Sequence, residues 1–106
     1  MSTAELFAAQ IFAALGDETR LAVLARLGEG PLSIVRLTQG QALSRQALTK
    51  HLHVLEKAGL VHHARAGRES LWSLHRQRLE EARGFLDLMS RQWDDRLDRL
   101  KAFVED

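Results

Sequence analysis

In the segment Ser44–Leu55, Ala47, Leu48, Leu52 and Leu55 recur at helical spacing, while Arg45, Gln46, Thr49, Lys50 and His53 lie away from that stripe. Ser44 is a good N-cap for this helix and Gly59 a good stop. Leu60–Ala66 and Glu69–His75 then read as two short strands joined by a tight turn at Gly67, with Trp72 and Leu74 on one face by the period of two. A polar-faced helix feeding a basic-tipped hairpin is compatible with few folds: it is the layout of a recognition helix followed by a wing. A helix of this size fits the major groove of B-DNA, and a tip carrying Arg65 and Arg68 reaches the neighbouring backbone or minor groove. The expected partner is double-stranded DNA. Arg65 and Arg68 also fit an edge strand kept soluble by arginine, and Trp72 fits a core anchor better than a base-stacking platform.

The chemistry of the helix face points the same way. Arginine pairs bidentately with guanine, glutamine with adenine, and a threonine methyl touches thymine, whereas a solvated structural helix mixes Glu with Lys. No acidic residue occurs between Leu32 and Val54. The net charge is only +1, but its distribution is uneven. Residues 1–43 carry three Lys/Arg against four Asp/Glu (−1), residues 44–78 seven against two (+5), and residues 79–106 five against eight (−3). Electrostatic attraction to DNA depends on a local patch rather than a total, and this patch coincides with the proposed helix and wing. Chance clustering on a solvated surface would give the same arithmetic; what favours DNA is where the cations lie.

The 106 residues suffice for one compact domain, expected to be mainly α with a small β-hairpin. Ala4–Leu15 is rich in helix formers, with Phe7, Ile11 and Leu15 on one face and Gly16 as stop. Asp17 caps a second helix in which Leu21, Leu24 and Leu27 repeat until Gly28 and Gly30. Leu32 forms a stub of strand, and Ser33 caps a short helix through Ile34, Val35 and Leu37 that Gly40 closes. The helix-turn-helix thus spans 33–59 and the wing 60–75.

From Arg76 the chain contains no proline and reads as one helix about 40 Å long. Leu79, Ala82, Leu86, Met89, Trp93, Leu97, Leu100 and Val104 recur at steps of three and four along it, with Phe85 and Phe103 widening the stripe. The domain ahead of it covers only part of such a face. Helices over 1–15 and 76–105 are therefore expected to form a twofold homodimer interface through Phe7, Ile11, Leu86, Met89, Trp93, Leu97, Leu100 and Val104. The alternative is a terminal helix folded back on its own domain.

Several functions are disfavoured. Without cysteine there is no disulfide, thiolate metal site or thiol switch within one chain. No apolar run approaches the roughly 18 residues of a membrane span, and Met1–Leu6 lacks the pattern of a signal peptide, so a cytoplasmic protein with no membrane partner is expected. There is no phosphate loop, nucleophile elbow or metal-ligand spacing, which argues against an enzyme and for no cofactor. His62 and His63 point to opposite sides of a strand, and His51 and His53 do not share a helical face, leaving no chelating pair and no expected metal. A winged helix serving protein or RNA assembly remains the competing class.

Taken together, Leu15–Leu21, Leu43–Leu52, Leu55–Val61 and Arg65–Arg68 resemble the corresponding segments of ArsR/SmtB-type winged helix-turn-helix regulators, over nearly the full chain. The resemblance implies a cytoplasmic bacterial or archaeal dimer, a palindromic operator, and usually repression by blocking polymerase. By position, Ser44, Arg45, Gln46, Thr49, Lys50 and His51 match that family's DNA-contacting helix, and Arg68 its wing arginine. Metal-sensing relatives carry a cysteine-containing box where this chain has Leu32-Ser33-Ile34-Val35-Arg36-Leu37, or Asp and His ligands on a terminal helix that here has no histidine after His75. Asp87, Asp94, Asp95 and Asp98 alone suit hard cations poorly on an open helix. The likeness is to cysteine-free members and names no effector.

Overall fold

The computed structural model describes residues 1–105. The chain forms α1 (Thr3–Leu15), α2 (Glu18–Leu27), β1 (Leu32–Ser33), α3 (Ile34–Thr38), α4 (Arg45–Lys57), β2 (Val61–Ala66), β3 (Glu69–Leu74) and α5 (Arg76–Glu105). Short polar residues set the helix starts. Ser2, Asp17, Ser33 and Ser44 each accept a hydrogen bond from the backbone N–H three residues on, at 3.0 to 3.3 Å. Each bond satisfies one of the donors that a helix start leaves unpaired.

The three strands pair antiparallel in the order β1-β3-β2, with Leu32 opposite Trp72 and Val61 opposite Leu74. Gly67 makes the β2–β3 turn at φ +64°, a conformation that a Cβ disfavours. Gly59, at φ +79°, follows α4 and is constrained for a second reason: a Cβ there would lie 2.7 Å from Arg78 Nε. That close approach brings the start of α5 against the α4–β2 junction. His75 fastens the same junction, its backbone N–H bonding the Leu60 carbonyl at 2.8 Å and its Nδ1 donating to the Gly59 carbonyl at 2.9 Å.

Leu48, Leu52 and Leu55 of α4 pack with Ile11, Ala14, Val23, Leu24, Leu27, Leu37, Leu60, Val61, Trp72 and Ala82 in one continuous core. Burying a side chain of this size contributes about 1.5–3 kcal/mol, so α4 is held by its apolar stripe rather than by its polar face. Arg26 ties α2 to α3 by donating to the Leu37 and Arg36 carbonyls at 2.8 and 2.9 Å, which caps the end of that short helix.

Two sequence expectations are corrected. Leu21 is 50% exposed and Val23 takes its place in the core, because α2 is rotated so that Val23, Leu24 and Leu27 face inward. Ile11, expected at a dimer interface, is only 2% exposed and belongs to the chain's own core, together with Ala8 and Ala14 of the same helix. Small alanines let α1 approach closely, which drives Ile11 inward and leaves Phe7 half exposed.

The terminal helix does not fold back. Ala82 is its only buried residue among those described, Phe85 meets Phe12 with ring centroids 6.1 Å apart, and from Leu86 onward every described residue is exposed. The molecule is accordingly 68 Å long but only 27 by 23 Å across.

Candidate nucleic-acid interface

Burial of Leu48, Leu52 and Leu55 fixes the rotation of α4 and thereby turns Arg45, Gln46, Lys50 and His53 outward. Among the described residues no side-chain hydrogen bond or ion pair engages Arg45, Gln46 or Lys50. Their donors and acceptors are available to a ligand. The Thr49 hydroxyl donates to the Arg45 carbonyl at 2.8 Å, which leaves its methyl as the outward chemistry. Ser44 Oγ accepts from Ala47 N–H at 3.1 Å and keeps its own O–H to donate. The first turn of α4 carries no acidic residue, so the positive end of the helix dipole is not offset there.

The wing brings a second set of cations to the surface. Arg65 and Arg68 are exposed on either side of Gly67, and Arg65 Nε donates to the Gly67 carbonyl at 3.3 Å, which stiffens the turn. Trp72 points inward from β3 and is buried, as a core anchor, with His63 lying 4.4 Å from it centroid to centroid.

His51 departs from its expected place among the outward residues. Its side chain is 24% exposed, and Nδ1 lies 3.4 Å from Arg20 Nη1 and 3.7 Å from Asp17 Oδ2. It faces the start of α2 rather than the open face of α4. Asp17 is held below the usual carboxylate range, chiefly by the backbone N–H of Arg20 that it accepts, against an opposing effect of burial and with help from His51 and the Arg20 charge.

The structure also makes a cluster that chain order does not suggest. Glu56 accepts from His63 Nδ1 on β2 and lies 3.7 Å from His53 Nδ1 one helical turn earlier, so one carboxylate joins α4 to the wing. The i,i+3 spacing of His53 and Glu56 was readable; the arrival of His63 depends on how β2 lies against α4. No group of three or more His, Cys, Asp or Glu side chains among the described residues is arranged to hold a metal ion. No described helix is long and apolar enough to cross a membrane.

An outward polar helix preceded by a short helix and followed by a basic wing, whose two strands complete a three-stranded sheet, defines a winged helix-turn-helix DNA-binding protein. Residues 15–64 match the helix-turn-helix domain family. The HTH-type transcriptional regulator Rv2034 of Mycobacterium tuberculosis is 39% identical over 74 residues, 70% of this chain and 69% of that protein. An ArsR-like transcriptional regulator from Rhodococcus sp. RHA1 superposes with a TM-score of 0.85 at 35% identity, covering 93% of each chain. The homodimeric winged helix-turn-helix DNA-binding domain Mb0332 from Mycobacterium bovis shares the fold, with a TM-score of 0.65 and 21% identity across 81% of this chain and 78% of that one. The chain belongs to the ArsR family of DNA-binding helix-turn-helix transcriptional regulators, a family of regulators rather than enzymes.

Proposed function

We propose that the protein is a homodimeric repressor that reads a palindromic operator, with α4 in the major groove and the wing on the flanking backbone or minor groove. The observation that carries this reading is the coexistence of two surfaces on one chain: the outward face of α4 from Arg45 to His53, which carries no carboxylate of its own, and the apolar stripe of α5 that runs beyond the domain. The first suits DNA, and the second suits a copy of itself. Arg45 and Gln46 are assigned to base edges, the Thr49 methyl to a base contact, Ser44 and Lys50 to phosphates, and Arg65 and Arg68 to the backbone or minor groove beside them. His53, whose Nδ1 lies 3.7 Å from Glu56 Oε1, borders the face on the wing side and is assigned to a DNA contact there.

Phe7, Leu86, Met89, Trp93, Leu97, Leu100 and Val104 are assigned to the dimer seam; the homodimeric neighbour of the same fold is consistent with that arrangement. A twofold dimer places two α4 helices so that they meet successive major grooves on one side of the duplex, about 34–36 Å apart. Repression follows from occupying DNA that polymerase needs.

Selection of bound sequences from random duplex DNA tests the reading. An inverted repeat with half-sites one or more helical turns apart is the expected outcome, with affinity falling steeply as salt rises. Binding indifferent to salt and to duplex sequence would point instead to a protein or RNA assembly module and would remove the operator.

A further inference from the structure

We propose that Arg20 is a positioning residue for the DNA-reading helix, and that His51 serves as its acceptor on α4 rather than as a DNA contact. This rests on α4 being the reading helix, as proposed above.

The Arg20 guanidinium joins three elements. Its Nε donates to the Ala14 carbonyl at 2.6 Å and its Nη2 to the Ala13 carbonyl at 3.4 Å, both in the last turn of α1, where the Ala13 oxygen also accepts from the Gly16 N–H at 3.3 Å. Nε and Nη2 lie on one edge of the planar guanidinium, so Nη1 is left at the other end, and it meets His51 Nδ1 at 3.4 Å. The backbone of Arg20 is pinned in turn by Asp17, whose carboxylate accepts its N–H at 3.0 Å and stands 3.7 Å from the same His51 nitrogen. One rigid five-donor group therefore spans from the end of α1 to the middle of α4.

The placement gives the contact its consequence. In the proposed dimer α1 belongs to the seam, whereas α4 meets the bases, and the latch lies between them. Base-edge hydrogen bonds require α4 at one rotation and depth, while phosphate contacts tolerate small displacements. Loosening the latch is thus expected to spare non-specific binding and to erode discrimination. To accept from Arg20, His51 must present the lone pair of Nδ1 and carry its proton on Nε2.

The variants are His51→Leu, His51→Asn and Arg20→Lys in the full-length chain. His51→Leu removes the acceptor while leaving Arg20 bonded to α1. His51→Asn returns an oxygen close to the Nδ1 position. Arg20→Lys keeps the charge but cannot reach α1 and α4 together. The probes are the duplex recovered by the wild-type protein from a random pool and a scrambled duplex of the same length.

His51→Leu and Arg20→Lys are expected to bind the scrambled duplex as wild type does, with an unchanged salt slope. Both should lose about tenfold on the recovered duplex, the size of one lost hydrogen bond to a charged group, and His51→Asn should restore most of it. An equal loss on both duplexes with a salt slope smaller by about one would make His51 a phosphate contact and overturn the proposal; no change on either duplex would also overturn it. Amide hydrogen exchange without DNA separates the latch from the DNA reading. His51→Leu should speed exchange in the middle of α4 and leave distal α5 unchanged, and unaltered α4 exchange would sink the latch by itself. A wild-type chain that recovers no preferred duplex would end the operator reading, and the positioning role with it, while exchange still registers the latch.

Discussion

Asp17 does two jobs at one carboxylate: it caps α2 through the Arg20 N–H and lies beside His51 of α4. Because its folded pKa lies below the ordinary value, the stability it confers is present above pH 4 or so and is lost as the pH falls through the folded value. Asn at this position also caps a helix but does not titrate. Asp17→Asn should therefore sit slightly below wild type near neutrality and converge with it below about pH 4, read as unfolding midpoints by circular dichroism across pH. Parallel curves for the two proteins would show that the Asp17 charge adds nothing. Gly59 carries a different constraint, since its positive φ and the Arg78 guanidinium both oppose a side chain. Gly59→Ala is expected to cost at least about 1–2 kcal/mol in urea unfolding from the backbone conformation alone, and more as Arg78 is pushed from its place 4.6 Å over the Phe7 ring.

At the scale of elements, the proposed operator complex divides reading by α4 from holding by the wing, and this sets the expected pattern of loss. Arg45→Ala and Gln46→Ala should relax base preference at one or two operator positions, at about 1–3 kcal/mol each, because each removes a side chain assigned to a base edge in the proposed complex. Arg68→Ala should weaken all sequences evenly and reduce the salt slope by about one. Binding arrays on single-base operator variants distinguish the two, and uniform loss from Arg45→Ala would move that residue to the backbone. The element boundaries were legible because their signals are local: Asp17, Ser33 and Ser44 cap from their own position, and Gly59 and Gly67 answer to their own backbone angles. What was not legible depends on neighbours distant in sequence. Leu21 and Val23 both offer plausible helical stripes, and only the packing of α2 against the rest of the core chooses Val23. His51 reads as outward from α4 alone, and Arg20, 31 residues away, draws it in.

The whole molecule is shaped by what α5 leaves uncovered. Its length followed from the absence of proline, but whether it folds back or projects could not be read from a stripe that serves either purpose equally well. The projecting form leaves Trp93 61% exposed, together with Leu97, Leu100, Phe103 and Val104, well beyond the reach of the core. An apolar strip of that extent on a solitary chain favours association, and under the proposed twofold seam Trp93 lies near its middle. Trp93→Glu places a charge where the partner helix would pack, and burying that charge unpaired costs several kcal/mol. The variant should fold, because Trp93 lies outside the core of its own chain. Sedimentation at micromolar concentration should then give the mass of one subunit for Trp93→Glu and of two for wild type and Trp93→Phe. Wild type alone of the first pair should show an unfolding midpoint that rises with protein concentration. A monomer can still touch one half-site, so affinity for a single half-site should survive while the gain from the second disappears. An unchanged mass for Trp93→Glu would remove Trp93 from the seam, and a monomeric wild type would require the two halves of any inverted repeat to be occupied independently.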